Sequence, residues 1–258
     1  MATLGPKRAA ALSQATAINS SLRNGLRQDL RLIAELIEPH SRVLDVGCAD
    51  GALLAHLART KQVDARGIEL SQTGVHECVS QGLAVVQGDG DTDLAIYPDG
   101  SFDYVILSQT IQAMRHPRQV LENMLRIGRY GIVSFTNYAH WRARWYLMRH
   151  GRMPMARCLP DPWYSTANIH PCTLEDFERL CAELGLRIEQ RSCLAADGRP
   201  SRLASSRWLD NLFSEQALFV LSRPEPADAR PPRGPFLRSV RPPRAAAAPG
   251  HRRAPGRA

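Results

Sequence analysis

The 258-residue chain has no C-x-x-C pair and no apolar run near the roughly 20 residues needed to span a bilayer. Without the paired spacing, its six cysteines (Cys48, Cys78, Cys158, Cys172, Cys181 and Cys193) do not suggest a zinc site or a dithiol redox motif. They fall mostly inside apolar patterns, so we expect buried free thiols in a reducing compartment and no metal site. Lys7 and Arg8 are not followed by a continuous apolar stretch and a small-residue cleavage site, which argues against a secretory leader. No membrane partner is expected. Aromatics make up only 6% of the chain, yet three of its four tryptophans fall within residues 137–172.

The net charge of +8 invites a nucleic-acid reading until it is located. From Pro224 to Ala258 there are eight arginines against Glu225 and Asp228, which accounts for +6 and leaves about +2 for everything before. A nearly neutral body denies a specific nucleic-acid surface. Residues 223–258 are Pro/Arg/Ala-rich and are expected to be disordered, as is a flexible extension over residues 1–25.

Between these ends, residues 26–222 alternate short apolar runs with amphipathic helical patterns, the signature of a parallel sheet covered on both faces. The expected strands are Arg42–Val46, Ala65–Glu69, Ala84–Gln87, Asp103–Ser108, Gly131–Phe135, Leu186–Leu194 and Gln216–Leu221. Helices are expected over Leu26–Glu38, Ala52–Arg59, Gln72–Gln81, Pro117–Ile127 and His140–His150, with another from Thr173 to about Leu184. Thr173 and Asp176 have capping-box spacing. The last two strands are separated by a stretch that reads as irregular. Residues 137–172 break the rhythm and read as an aromatic, basic insertion: a helix followed by a lid-like loop. Trp141 and Trp145, at i and i+4, are expected to divide between core packing and partner contact.

The most informative stretch is Val43-Leu44-Asp45-Val46-Gly47-Cys48-Ala49-Asp50-Gly51. A β-branched run, an acid, a glycine turn and then Ala52-Leu53-Leu54 spell strand, tight turn and helix. Glycines there let the backbone approach a ligand at a helix N-terminus. Glu69 and Asp89 close the next two strands, and ligands bind at such carboxyl ends in open α/β sheets. A dinucleotide dehydrogenase is the nearest competing reading, but Asp45 precedes the first glycine and Gly47-Cys48-Ala49 lacks the glycine that admits a pyrophosphate.

Asp-x-Gly-Cys-x-x-Gly followed by acids at the next two strand ends resembles the class I S-adenosylmethionine-dependent methyltransferases. The resemblance implies a Rossmann-like fold: a mostly parallel seven-stranded sheet with an antiparallel last strand and helices on both faces. It also implies S-adenosylmethionine or S-adenosylhomocysteine as ligand, with Asp45, Gly47, Cys48 and Gly51 at its amino-acid end. Glu69 would meet the ribose hydroxyls, Asp89 the adenine amino group, and Ser108 and Gln109 at the fourth strand's end would complete the site.

Further segments are similar to the methionine biosynthesis protein MetW family: Leu30–Glu35, Ser108–Ala113, Ile132–Asn137 with His140-Trp141-Arg142, Gly151–Pro154, Trp163-Tyr164 and Asn168–Thr173. This resemblance implies a cytoplasmic protein with a partner, homoserine O-acyltransferase (succinyl or acetyl); the aromatic and basic residues 137–172 are our candidate contact for it. Two departures stand out: Ala49 replaces the central glycine of the turn, and Thr136 stands where the family tends to have proline.

The Asn/Asp-Pro-Pro-aromatic signature of amino-group methyltransferases is absent, and Pro171-Cys172 lies at a helix start rather than at the fourth strand's end. Catalytic residues are therefore left unassigned. His140 and His170 remain open as bases, pocket linings or packing residues, and Gln109 as a positioning amide or a loop brace. Two functions stand side by side: a regulatory subunit, and a methyltransferase acting on an unknown small molecule.

Overall fold

The computed structural model describes residues 26–154, 162–195 and 206–224. Seven strands form one sheet in the order β3-β2-β1-β4-β5-β7-β6. They are β1 (Arg42–Val46), β2 (Asp64–Glu69), β3 (Ala84–Gln87), β4 (Phe102–Ser108), β5 (Gly128–Thr136), β6 (Arg187–Leu194) and β7 (Gln216–Ser222). β1 to β5 pair in parallel, and β7 inserts antiparallel between β5 and β6. The expected sheet, with its single antiparallel last strand, is the one observed.

Side-chain alternation along the strands divides the core into two layers. Val43, Ile106, Ile132, Leu218 and Val220 pack with Ile33, Ala34 and Ile37 around α1 (Gln28–Leu36), and with Leu53 and Leu57 of α2 (Ala52–Lys61). Leu44, Val105, Leu107, Val133, Phe135, Phe219 and Leu221 face the other way. They pack under α4 (Pro117–Ile127) and α6 (Leu174–Glu183), α3 (Gln72–Ser80) having come between α2 and β3 in the chain. Phe135, Phe177 and Phe219 form an aromatic knot in this second layer, with ring centroids 4.8–5.8 Å apart. Pro117 opens α4 in its first turn, and Thr173 caps α6 through a complete capping box with Asp176, both as expected.

Two expectations need correction. The stretch between β6 and β7 is not wholly irregular: Arg207–Phe213 forms a helix, α7. It is short, and its cap residue Ser206 makes no side-chain capping bond. Tertiary partners hold it instead: Arg191 pairs with Asp210 at 3.1 Å, and the Asn137 side-chain amide donates to the carbonyls of Asn211 and Ser214 at 2.8 Å each. The second correction concerns α5 (Trp141–His150), which buries no residue at all. Trp141 and Trp145 are 42% and 57% exposed, so the core share of the expectation fails. Cys158 and the rest of residues 155–161 of the lid-like loop lie outside the described residues.

Candidate functional site

Strand order reverses between β1 and β4, which opens a crevice at the carboxyl ends of the parallel strands. The β1–α2 turn lies at that edge. Three of its residues adopt left-handed backbone: Gly47 (φ 77°), Ala49 (φ 50°) and Gly51 (φ 74°). Gly47 is sterically required as well, since a Cβ there would come within 2.8 Å of the Thr110 methyl group. Ala49 accepts the left-handed conformation at a cost that glycine would avoid. The turn is stitched down by Gly47 N donating to Ile68 O at 2.8 Å and Gly51 N donating to Cys48 O at 2.9 Å.

The sequence-predicted residues gather around this turn. Asp45 is 3% exposed, and its Oδ1 has no hydrogen-bond partner among the described residues. Burial pushes its carboxyl up to about 7; Glu69 and Asp50 add to the rise and the Arg27 guanidinium opposes it. Glu69 accepts from Ala49 N at 2.8 Å through Oε2 and from Ser71 N at 2.9 Å through Oε1. Asp89 accepts from Asp91 N at 2.9 Å, and its own N–H donates to Asp93 at 2.9 Å. The Cys48 thiol points away from the edge and packs with Leu54 and Cys78 beneath the turn, so a ligand there would meet Cys48 through its backbone. The five cysteines among the described residues are free thiols.

Ser108 and Gln109 end β4 beside this cluster. Gln109 has a left-handed backbone (φ 57°). Its Oε1 accepts from Thr136 Oγ1 at 3.2 Å, while its Nε2 is buried without a partner among the described residues. Thr136 N also donates to Gln112 Oε1 at 3.3 Å, so Thr136 supplies two donors that proline would lack. Gln112 is buried; its Nε2 donates to Thr136 O at 2.9 Å and lies 3.4 Å from the Cys172 sulfur, while its carbonyl accepts from His170 N at 2.9 Å. Three segments distant in sequence, 108–113, 132–137 and 168–173, thus meet at one edge.

The histidines take structural positions. His140 is buried and caps α5, accepting from Arg142 N through Nδ1 at 3.3 Å, and burial lowers its pKa. His170 is exposed, with its ring nitrogen 3.3 Å from Arg115 O. Burial pushes the Cys172 thiol up to about 11, so it is no ready nucleophile.

Sequence reading missed Arg27. It forms a two-pronged pair with buried Asp29 (3.1 and 2.8 Å) and reaches Ser108 Oγ at 3.3 Å. It thereby places a cation at the mouth of an acidic cluster. Only the Arg27/Asp29 spacing hinted at a local pair, and nothing near it pointed to β4 or Asp45.

The family model described as methionine biosynthesis protein MetW matches residues 27–221. The chain belongs to the MetW family. A bifunctional methionine biosynthesis protein MetXA/MetW from Rhodopirellula baltica is 34% identical over 174 residues, covering 64% of this chain and 28% of that protein. Ajmaline N-methyltransferase from Rauvolfia serpentina is 32% identical over 97 residues, covering 34% of this chain and 33% of that protein. The chain spans about a third of the length of the curated relatives it matches.

Among solved structures, an S-adenosylmethionine-dependent methyltransferase from Archaeoglobus fulgidus superposes with a TM-score of 0.55 at 15% identity, covering 80% of this chain and 99% of that one. A TehB-like S-adenosylmethionine-dependent methyltransferase from Corynebacterium glutamicum gives 0.56 at 16%, covering 85% and 100%. These likenesses establish the class I methyltransferase fold. The [4+2]-cyclase SpnF also matches (0.54, 17% identity, 76% and 80% covered), so the fold alone does not dictate methyl transfer. No helix among the described residues is long and apolar enough to cross a membrane.

Proposed function

We propose that this MetW-family chain binds S-adenosylmethionine or S-adenosylhomocysteine at the β1/β4 crevice and acts in methionine biosynthesis as a regulatory partner of homoserine O-acyltransferase. The observation that carries the ligand assignment is Asp45. A buried carboxylate with an unpartnered oxygen is costly, and a ligand with ammonium and sulfonium charges supplies the missing cation. Glu69 would receive the ribose hydroxyls, since each oxygen that accepts one backbone amide keeps capacity for another donor. Exposed Leu70, next in sequence, offers an apolar surface to the purine, with Asp89 nearby to accept from its amino group. Arg27 would hold the ligand's carboxylate. Bound there, S-adenosylmethionine supplies an electrophilic methyl group on a cationic sulfur.

The partner assignment is supported by the Rhodopirellula protein, whose name joins MetXA and MetW in one polypeptide. A second reading, methyl transfer to a small acceptor, draws on Gln109. Its left-handed backbone and orphan amide nitrogen at the β4 end are the kind of strain found at substrate-positioning sites.

Titration calorimetry tests the ligand assignment. Wild-type protein should bind S-adenosylhomocysteine, and Glu69→Ala should weaken binding by about tenfold or more through the lost acceptor and the loosened turn. Equal affinity in the variant would remove Glu69 from the site. Co-elution with the acyltransferase, without methylated product from candidate acceptors, separates the regulatory reading from the catalytic one.

A further inference from the structure

We infer that the outer face of α5 is the docking element for the acyltransferase, and that it inserts Trp141, Trp145 and Met148 into an apolar groove rimmed by carboxylates. This rests on the partnership proposed above and adds where it forms and which chemistry recognises it. The helix is ten residues long, under three turns, and buries none of its side chains. Such a segment is marginal in water by itself, so a covering surface is called for.

Trp141, Trp145 and Met148 occupy positions i, i+4 and i+7, which is the anchor spacing of a helix laid in a groove. They are 42%, 57% and 70% exposed. Arg144 flanks this stripe on one side, and Arg142 and Arg149 flank it on the other. The face is also pre-ordered, which reduces the entropy lost on binding. The Arg142 guanidinium lies 5.5 Å from the Trp141 ring centre, Arg144 Nε donates to Ala139 O at 2.6 Å, and buried His140 caps the helix.

Charge selects the occupant. Residues 137–160 contain five arginines and no carboxylate, so the rest of the chain through Arg223 carries a net charge of −3. A second copy docking face to face would oppose arginine to arginine. An acidic-rimmed groove on a different protein satisfies both the apolar stripe and its flanks.

The test uses the full chain and the purified homoserine O-acyltransferase from the same organism, with dissociation constants measured by calorimetry at low and high salt. Trp145→Ala/Met148→Ala and Arg142→Glu/Arg149→Glu are compared with wild type, each checked for an unchanged melting temperature. The expected result is wild-type binding that weakens with salt, and about tenfold or greater loss in each double variant. Wild-type binding that both variants retain within about twofold would overturn the docking face and leave the partnership standing. If wild type does not bind, the partnership and the docking face both fall. Variant-sensitive self-association, or tighter binding to a poly-uridine oligonucleotide, would assign the face to a second copy or to nucleic acid and equally overturn the inference.

Discussion

Asp45 and Ala49 set the character of the site through single-residue physics. The Asp45 carboxyl, raised to about 7 by burial, holds its proton in the folded chain over a range where the unfolded chain has lost it. Stability from the neutral form is complete below the ordinary carboxylate range and is lost as pH rises through about 7. Asp45→Asn should therefore raise the melting temperature of the ligand-free protein at pH 8, leave it nearly unchanged at pH 4, and abolish S-adenosylhomocysteine binding. A fall in melting temperature at pH 8 would contradict the burial argument. At Ala49, left-handed backbone costs an L-residue roughly 1–2 kcal/mol, and glycine adds about 0.4–1 kcal/mol of unfolded-chain entropy. Ala49→Gly should accordingly raise the melting temperature by a few degrees, measured by calorimetry, without weakening the ligand. The acids of this site were legible in the sequence because each lies at, or within two residues of, a strand end, a position that periodicity reveals. Arg27 was not, because its link to Ser108 crosses 81 residues of sequence and has no local pattern.

Elements followed their sequence signals wherever local chemistry was sufficient. Pro117 at a helix start, the Thr173/Asp176 box and the glycine turn after β1 are self-contained instructions, and each is realised. α7 was missed because what holds it comes from elsewhere: Arg191 on β6 and the Asn137 amide after β5. Asn137→Ala leaves the two carbonyls at the α7 end without their donor and should cost roughly 1–3 kcal/mol of stability. A melting temperature equal to wild type would show that the α7 anchor is dispensable. α5 was placed correctly and its surroundings were not, since i, i+4 aromatics read the same whether they face a core or a future partner. The structure removes the core reading by leaving Trp141 and Trp145 exposed.

At the scale of the whole molecule, the sheet order and the family match over residues 27–221 describe one methyltransferase-fold body ending with β7. The last strand closes at Ser222, so removing residues 225–258 should leave the melting temperature unchanged. A clear drop would show that this segment contributes to the body. Fold class was readable because a parallel sheet imprints its alternation on the entire chain. Family membership was readable only through segments matching in order along the chain, three of which meet at the β4–β5 edge, because the glycine turn by itself is shared with the wider fold. The decisive measurement is acyl transfer by the purified homoserine O-acyltransferase, alone, with this chain, and with this chain plus S-adenosylmethionine. The account predicts that the chain raises the rate and that the ligand changes the raised rate. A rate indifferent to the chain, with or without the ligand, would contradict it.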